Sequence, residues 1–381
     1  MSERDARIRV LEAKTFDTAG YRMAVSLHCH TDHSKENLGF IPHYASRIPV
    51  VSEFFKREME GYLRTNGKKL DFRRAYWTPP LTARRVVELE AERIERELDV
   101  EAMISLTDHD DIGACTLLRA LNIWPNLPIS TEWTVPFRSG CFHLGVHNIP
   151  PEFSAGVLSE LQLYTSRPDE KRLPALLEHL NGFSEALLVL NHPLWNLDYV
   201  DRDTHLILLT AFLAQYGKWI HALEVNGYRS WRENNLTLRI AQEMGYPVIS
   251  GGDRHGCAPN ATLNLTNSTT FVEFVSEVRN DKVSEVVLMP EYRENLLART
   301  LEAAADVLRY YPDHPQGRQL WTDRVFLDLG EGSTVRPLSY YWKRGGPSWV
   351  RSSLWVMCFL GSPRFRPALR LALAREERIA L

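Results

Sequence analysis

Val25-Ser26-Leu27-His28-Cys29-His30 is a short apolar run that ends in two histidines one residue apart. In a strand, residues i and i+2 share a face, so His28 and His30 are placed to grip one ion while Cys29 points away. Alone, such a pair is as often the polar rim of a sheet. Its weight comes from later strand ends of the same kind. They read Leu106-Thr107-Asp108-His109-Asp110, Ile129-Ser130-Thr131-Glu132-Trp133, Cys141-Phe142-His143-Leu144-Gly145, Leu190-Asn191-His192-Pro193, Leu223-Glu224-Val225-Asn226 and Ser250-Gly251-Gly252-Asp253-Arg254-His255. Each has a plain alternative: a histidine before proline in a turn, or a carboxylate capping a helix or pairing with arginine. The joint pattern is harder to explain that way, because burying so many imidazoles and carboxylates together without a cation is costly.

Helix-period segments lie between the apolar runs. Expected strands cover residues 23–27, 102–106, 128–131, 142–146, 186–190, 222–225, 247–250 and 269–274. Expected helices include 81–98, with Thr82 as N-cap, 173–180 and 234–244. The alternation predicts βαβ units and a mainly parallel sheet, and about seven or eight units favour a barrel over an open sheet. Strand ends of a parallel barrel converge on one mouth.

Two segments break the rhythm. Residues 37–80 interrupt the first connection with basic and aromatic residues, among them Lys56, Arg64, Lys68, Lys69, Tyr62, Phe72 and Trp77. Connections this long are usually lids or elaborations. Residues 291–381 turn helical over 292–311, then irregular, with Lys343, Arg344 and Arg351 among Trp342, Trp349 and Trp355. The expected division is an N-terminal segment (1–20), a barrel (21–290) and a C-terminal extension or cap (291–381).

The 381 residues carry a formal charge of -3, which gives no reason to expect bulk nucleic-acid binding. Five scattered cysteines without a CxxC pair argue against a zinc ribbon or disulfide framework, and a cytoplasmic location is the simplest expectation. No apolar run is long enough to span a bilayer. Oligomeric state is not legible.

The order His-x-His, Thr-Asp-His, a Glu after an apolar strand, His-Leu-Gly, Asn-His-Pro and Gly-Asp-x-His resembles the PHP (polymerase and histidinol phosphatase) superfamily over about residues 24–256. The resemblance implies a distorted (β/α)7 TIM-like barrel with two or three divalent ions, Mn, Zn or Fe, at its mouth. It implies that His28, His30, Glu132 and Asp253 hold a first metal, and that Glu132 bridges to a second held by His143 and His192. A third would take His109, His255 and one more residue. The family usually has Asp or His at that last position; here Lys35 and Glu36 stand there, and Glu36 is the candidate because a carboxylate is a hard ligand. The implied activity is hydrolysis of a phosphate ester, from a phosphorylated metabolite or a nucleotide, by a hydroxide held between two cations. Arg254 is expected to contact phosphate, with Arg229 and Arg232 as further substrate-binding candidates, and Asp108 is expected to orient a catalytic group. The alternatives are an amidohydrolase-type metallohydrolase and a non-catalytic PHP module with a structural metal site.

Overall fold

Met23–Cys29 is buried along its whole length, as a strand apolar on both faces must be. Val25 and Leu27 enter one apolar cluster with Met103, Leu187, Val189, Ala222 and Ile249. Ala24 instead packs with Ile94 and Leu98 of the helix Ala83–Leu98. The first cluster gathers side chains from five strands that are far apart in sequence. The helix Phe271–Arg279 plugs it with Phe271, Phe274, Val275 and Val278.

The computed structural model describes residues 7–12, 18–47, 49–67, 69, 71–196, 200–328, 334–342, 345–362 and 364–373. Lys68, Lys343 and Arg344 of the two basic segments lie outside the described residues. The described strands are β1 (Arg7–Glu12), β2 (Met23–Cys29), β3 (Glu36–Asn37), β4 (Ala75–Trp77), β5 (Glu101–Leu106), β6 (Thr131–Phe137), β7 (Gly140–His147), β8 (Leu187–Asn191), β9 (Ala222–Asn226), β10 (Val248–Gly251), β11 (Thr262–Thr266), β12 (Val283–Leu288), β13 (Val325–Leu327) and β14 (Arg336–Pro337).

One sheet has the order β1-β12-β11-β2-β5 and a second the order β10-β9-β8-β7-β6. The pairs β1–β12, β2–β5, β8–β9 and β9–β10 are parallel. The pairs β6–β7, β7–β8, β11–β12 and β2–β11 are antiparallel. The protein is therefore a mixed α/β structure rather than a mainly parallel one. Between β6 and β7 only Arg138 and Ser139 intervene, with Arg138 at φ 52°; that is a hairpin, far short of the dozen or so residues a parallel crossover needs. Isolated bridges join the two sheets at two seams, Cys29 with Arg254 and His109 with Glu132. At these seams Asp253 N donates to His28 O (2.8 Å) and Asp110 N donates to Glu132 O (2.9 Å).

Residues 269–274, expected as a strand, instead open the helix Phe271–Arg279 through a capping box. Thr270 accepts from Glu273 N, and the Glu273 carboxylate accepts from Thr270 N, a start signal that overrides the β-branched composition. Strand β6 begins only at Thr131, where the expected strand ended. Strands β1, β11 and β12 were not anticipated.

A third sheet, of order β14-β13-β4-β3, is antiparallel throughout. Strands β3 and β4 bracket the inserted segment, while β13 and β14 belong to the C-terminal one. The two segments that broke the sequence rhythm thus knit into one cap. It also holds the helix Pro49–Asn66 and, across from it, Ser348–Leu360.

Candidate metal centre

Glu132, fully buried on β6, is the hub of the site. Its Oε2 lies 3.0 Å from His28 Nε2, 3.3 Å from His30 Nε2 and 3.3 Å from His109 Nδ1. Its Oε1 lies 3.1 Å from both His143 Nδ1 and His192 Nε2, and Asn191 Nδ2 donates to it at 3.0 Å. Asp253 Oδ1 approaches His28 Nε2 at 3.7 Å and His30 Nε2 at 3.6 Å. A second pole forms around Glu36, whose Oε2 lies 3.3 Å from His109 Nε2 and 3.2 Å from His255 Nε2. All nine candidate ligands therefore sit in one connected cluster. Three subsets have ligand atoms within 4.8 Å of one another: His30, Glu36, His109 and His255; His28, His30 and Glu132; His109, Glu132 and His143. In these subsets His30 also joins the Glu36 group and His109 also reaches Glu132.

The proton positions explain why the cluster can receive a cation. His28 Nδ1 lies 2.6 Å from Glu224 Oε2, so this carboxylate holds a ring proton there and leaves Nε2 as the nitrogen that would meet a cation. Ser34 Oγ gives its one proton to Glu36 Oε1 (2.6 Å) and can only accept from His30 Nδ1 (3.2 Å). His30 Nε2 is thereby left as a lone pair. His28 Nε2, His30 Nε2 and Glu132 Oε2 are buried without a hydrogen-bond partner, despite their short separations. The three atoms lie within 4.8 Å of one another, close enough to share one cation. Imidazole nitrogens with carboxylate oxygens suit divalent zinc, iron or manganese.

Local backbone geometry aims these side chains. The β2–β5 register shifts between Ser26 and Cys29, and His28 has φ 62°. The two histidines thus converge through a bulge, not through the simple alternation that the spacing predicts. His192 (φ 27°) and Asp253 (φ 52°) are also left-handed, a conformation that costs non-glycine residues about 1–3 kcal/mol each and collects at functional sites. Cys29 does point away: its buried thiol lies 3.3 Å from Asn260 Nδ2, and burial, with Glu90 nearby, pushes it up to about 12.

Electrostatics couple the groups. Burial opposes charge on His109, but Glu36 and Glu132 win and hold it up to about 10. His28 is likewise raised by Glu132 and Glu224 against its burial. Burial works against the charged carboxylates too. The surrounding imidazoles nonetheless keep Glu36, Glu132 and Asp253 well below the usual range, with Arg229 helping at Asp253.

The catalytic and substrate candidates fare differently from the ligands. The Arg254 guanidinium is fully buried, 3.0 Å from Glu90 and bonded to the carbonyls of Gly256 and Ala258, so it cannot meet a phosphate. Asp108 is also sealed off: its oxygens accept from Thr31 N and, at 2.8 Å, Thr31 Oγ1, so it clamps the loop after His30 instead of orienting a reacting group. Burial raises it to about 7. Arg232 is exposed and lies outside the cavity lining. Arg229 does line it, 3.2 Å from Asp253 Oδ2 and stacked 3.9 Å over the Trp195 ring. Sequence reasoning quoted Glu224 as a strand-end residue without a role, and missed Asn191 and Ser34 as groups that fix the ligands.

The cluster opens into a cavity of about 2170 Å³ whose wall includes His109, His143, His192, Asp253 and His255. No family model matches the chain, and no curated protein matches it. The structure is similar to that of an amidohydrolase from Chromobacterium violaceum with bound sulfate and no metal, at 17% identity and TM-score 0.34, covering 46% of this chain and 83% of that one. It is also similar to a candidate metal-dependent phosphoesterase from Bifidobacterium adolescentis, at 15% identity and TM-score 0.31, covering 52% of this chain and 91% of that one. Among the described residues no helix is long and apolar enough to cross a membrane.

Proposed function

We propose that the chain is a metal-dependent hydrolase of phosphate esters, with a distorted (β/α)7 barrel of PHP type running through β2, β5, β6, β7, β8, β9 and β10. The observation that carries this reading is the convergence of three buried atoms without hydrogen-bond partners, His28 Nε2, His30 Nε2 and Glu132 Oε2. Such atoms are costly to bury unless a cation completes them. Glu132, with one oxygen toward each of two histidine groups, would bridge two divalent ions, and Asp253 would complete the first. Glu36 with His109 and His255 would hold a third. When bound, the ions supply Lewis-acid neutralisation of phosphoryl charge and a water of lowered pKa. The chain's own contribution is to fix each imidazole lone pair through Glu224 and Ser34. Arg229, a cation of the cavity wall, would meet phosphate oxygens. The absence of a disulfide among the five cysteines supports a reducing, cytoplasmic setting.

The test is metal analysis together with phosphate-ester hydrolysis after loading with Mn, Zn or Fe. Glu132→Gln should lose bound metal and at least about 100-fold in turnover while staying folded. Wild-type turnover in a metal-free protein would sink the proposal. A loaded protein inert toward every phosphate ester would leave a structural metal module instead.

A further inference from the structure

We infer that the substrate of this centre is a phosphate monoester whose alcohol portion is large and apolar. This inference rests on the phosphoesterase reading and names the substrate class it serves. The phosphoryl group would sit on the metal-ligand floor and the alcohol against the roof of the same cavity.

Size is the first argument. At about 2170 Å³ the cavity exceeds the roughly 300–1,000 Å³ that suffices for most small ligands, and a phosphosugar would leave most of it in water. The roof is the second. It is built from both irregular segments: Phe55, Tyr62 and Phe72 from the insert line the cavity together with Trp321, Trp342 and Trp349 from the C-terminal segment. The halves are tied together, since Trp349 stacks on Phe54 at 5.6 Å and donates through Nε1 to Glu58 at 3.4 Å. Aromatic side chains in this number offer apolar area with little entropy to lose on binding.

Charge is the third. Among the described lining residues outside the metal cluster, the carboxylates are Glu58, Asp110, Asp111 and Glu233, and the cations are Lys35, Arg229 and Arg324. Arg324 spends both Nη atoms on the carbonyls of Val307, Arg309, Arg318 and Gln319. The wall is therefore not built for a polyanion such as a nucleic-acid strand or a polyphosphate, which would need a run of cations. One phosphoryl group at the ions, with an apolar remainder against the aromatic roof, asks for no such run of cations.

In the reaction, the oxygen of a water bonds to phosphorus and the ester P–O bond breaks. The alcohol oxygen leaves with a proton that originates from that water, giving inorganic phosphate and the free alcohol.

The experiment compares ethyl, octyl and 2-(1-naphthyl)ethyl phosphate on the metal-loaded protein. These alcohols have similar basicity, so differences report binding rather than leaving-group chemistry. In parallel, ethylphosphonate and octylphosphonate, which are not hydrolysed, are titrated against intrinsic tryptophan fluorescence. The octyl and naphthyl esters should exceed ethyl phosphate in kcat/KM by about 100-fold, since each desolvated methylene is worth roughly three- to fourfold. Octylphosphonate should bind correspondingly tighter. Trp342→Ala and Phe55→Ala, one from each segment of the roof, should each remove at least about tenfold of that octyl-over-ethyl preference through KM. Equal kcat/KM for ethyl and octyl esters, with equal phosphonate affinities, overturns the inference while hydrolysis itself stands. Adenosine 5′-monophosphate is assayed alongside, and a kcat/KM for it above that of the octyl ester overturns the inference as well. Tight octylphosphonate binding with no ester hydrolysed supports the apolar site and overturns the phosphoesterase reading.

Discussion

A 2.6 Å contact from His28 Nδ1 to Glu224 decides which nitrogen of His28 faces the cluster. Partners of this kind typically tune metal affinity or activity by about 10–100-fold. Glu224→Gln should therefore weaken metal binding by about tenfold or more in chelator competition, with near-UV circular dichroism unchanged. A second outcome follows from His109, which its carboxylate neighbours hold up to about 10 in the metal-free protein. It is protonated at pH 7, and a divalent ion must expel that proton to use the nitrogen. Metal affinity should rise with pH toward about 10 and fall on acidification. Calorimetry at pH 7 in buffers of differing ionisation enthalpy should show net proton release, and none would contradict the assignment. The clustering of the candidate ligands was legible because their residue types recur at strand ends. Arg254 was misread because adjacency to Asp253 and His255 does not say which way a side chain turns. Its partner Glu90 lies on a helix far earlier in the chain, so the Glu90–Arg254 ion pair leaves no local trace.

Strand β10 ends in Gly251 because nothing larger fits: a Cβ there would lie 1.9 Å from Glu224 Oε2. Gly251→Ala should push that carboxylate off His28, costing about 1–3 kcal/mol of stability by overpacking and as much metal affinity as Glu224→Gln. Gly156 is the control. It lies in the helix Pro151–Ser166 with nothing within 4 Å of an added Cβ, and Gly156→Ala should raise stability by up to about 1 kcal/mol. Denaturant melts of the pair check both signs. Thr270→Ala should cost about 1 kcal/mol by removing the N-cap. Element positions were well legible wherever apolar runs were clean, as at β2, β5 and β8. Sheet direction was not, because pairing is settled between strands: the hairpin of β6 and β7 reads locally like two ordinary strands of a βαβ series.

The cap sheet and the two larger sheets are joined through Glu36, which sits on β3 and in the candidate ligand cluster at once. A ligand that binds only the folded arrangement stabilises every element holding it. Metal loading should thus slow hydrogen exchange in β3, β4 and β13 as well as around the cluster, and Glu36→Ala should confine the slowing to the two larger sheets and lower metal stoichiometry. That the insert and the C-terminal segment would share a sheet could not be read in advance. Their pairing, Val325 with Trp77 and Glu36 with Trp77, spans most of the chain and involves strands of two or three residues. The same pairing has a consequence for biosynthesis. A ribosome releases the candidate ligands from His28 to His255 before β13 and β14, so the cluster residues emerge before the cap sheet can close over them. A cation held by this cluster would thus find all its candidate ligands exposed before the cap sheet pairs, and the ions at hand at that stage would bear on which one is kept.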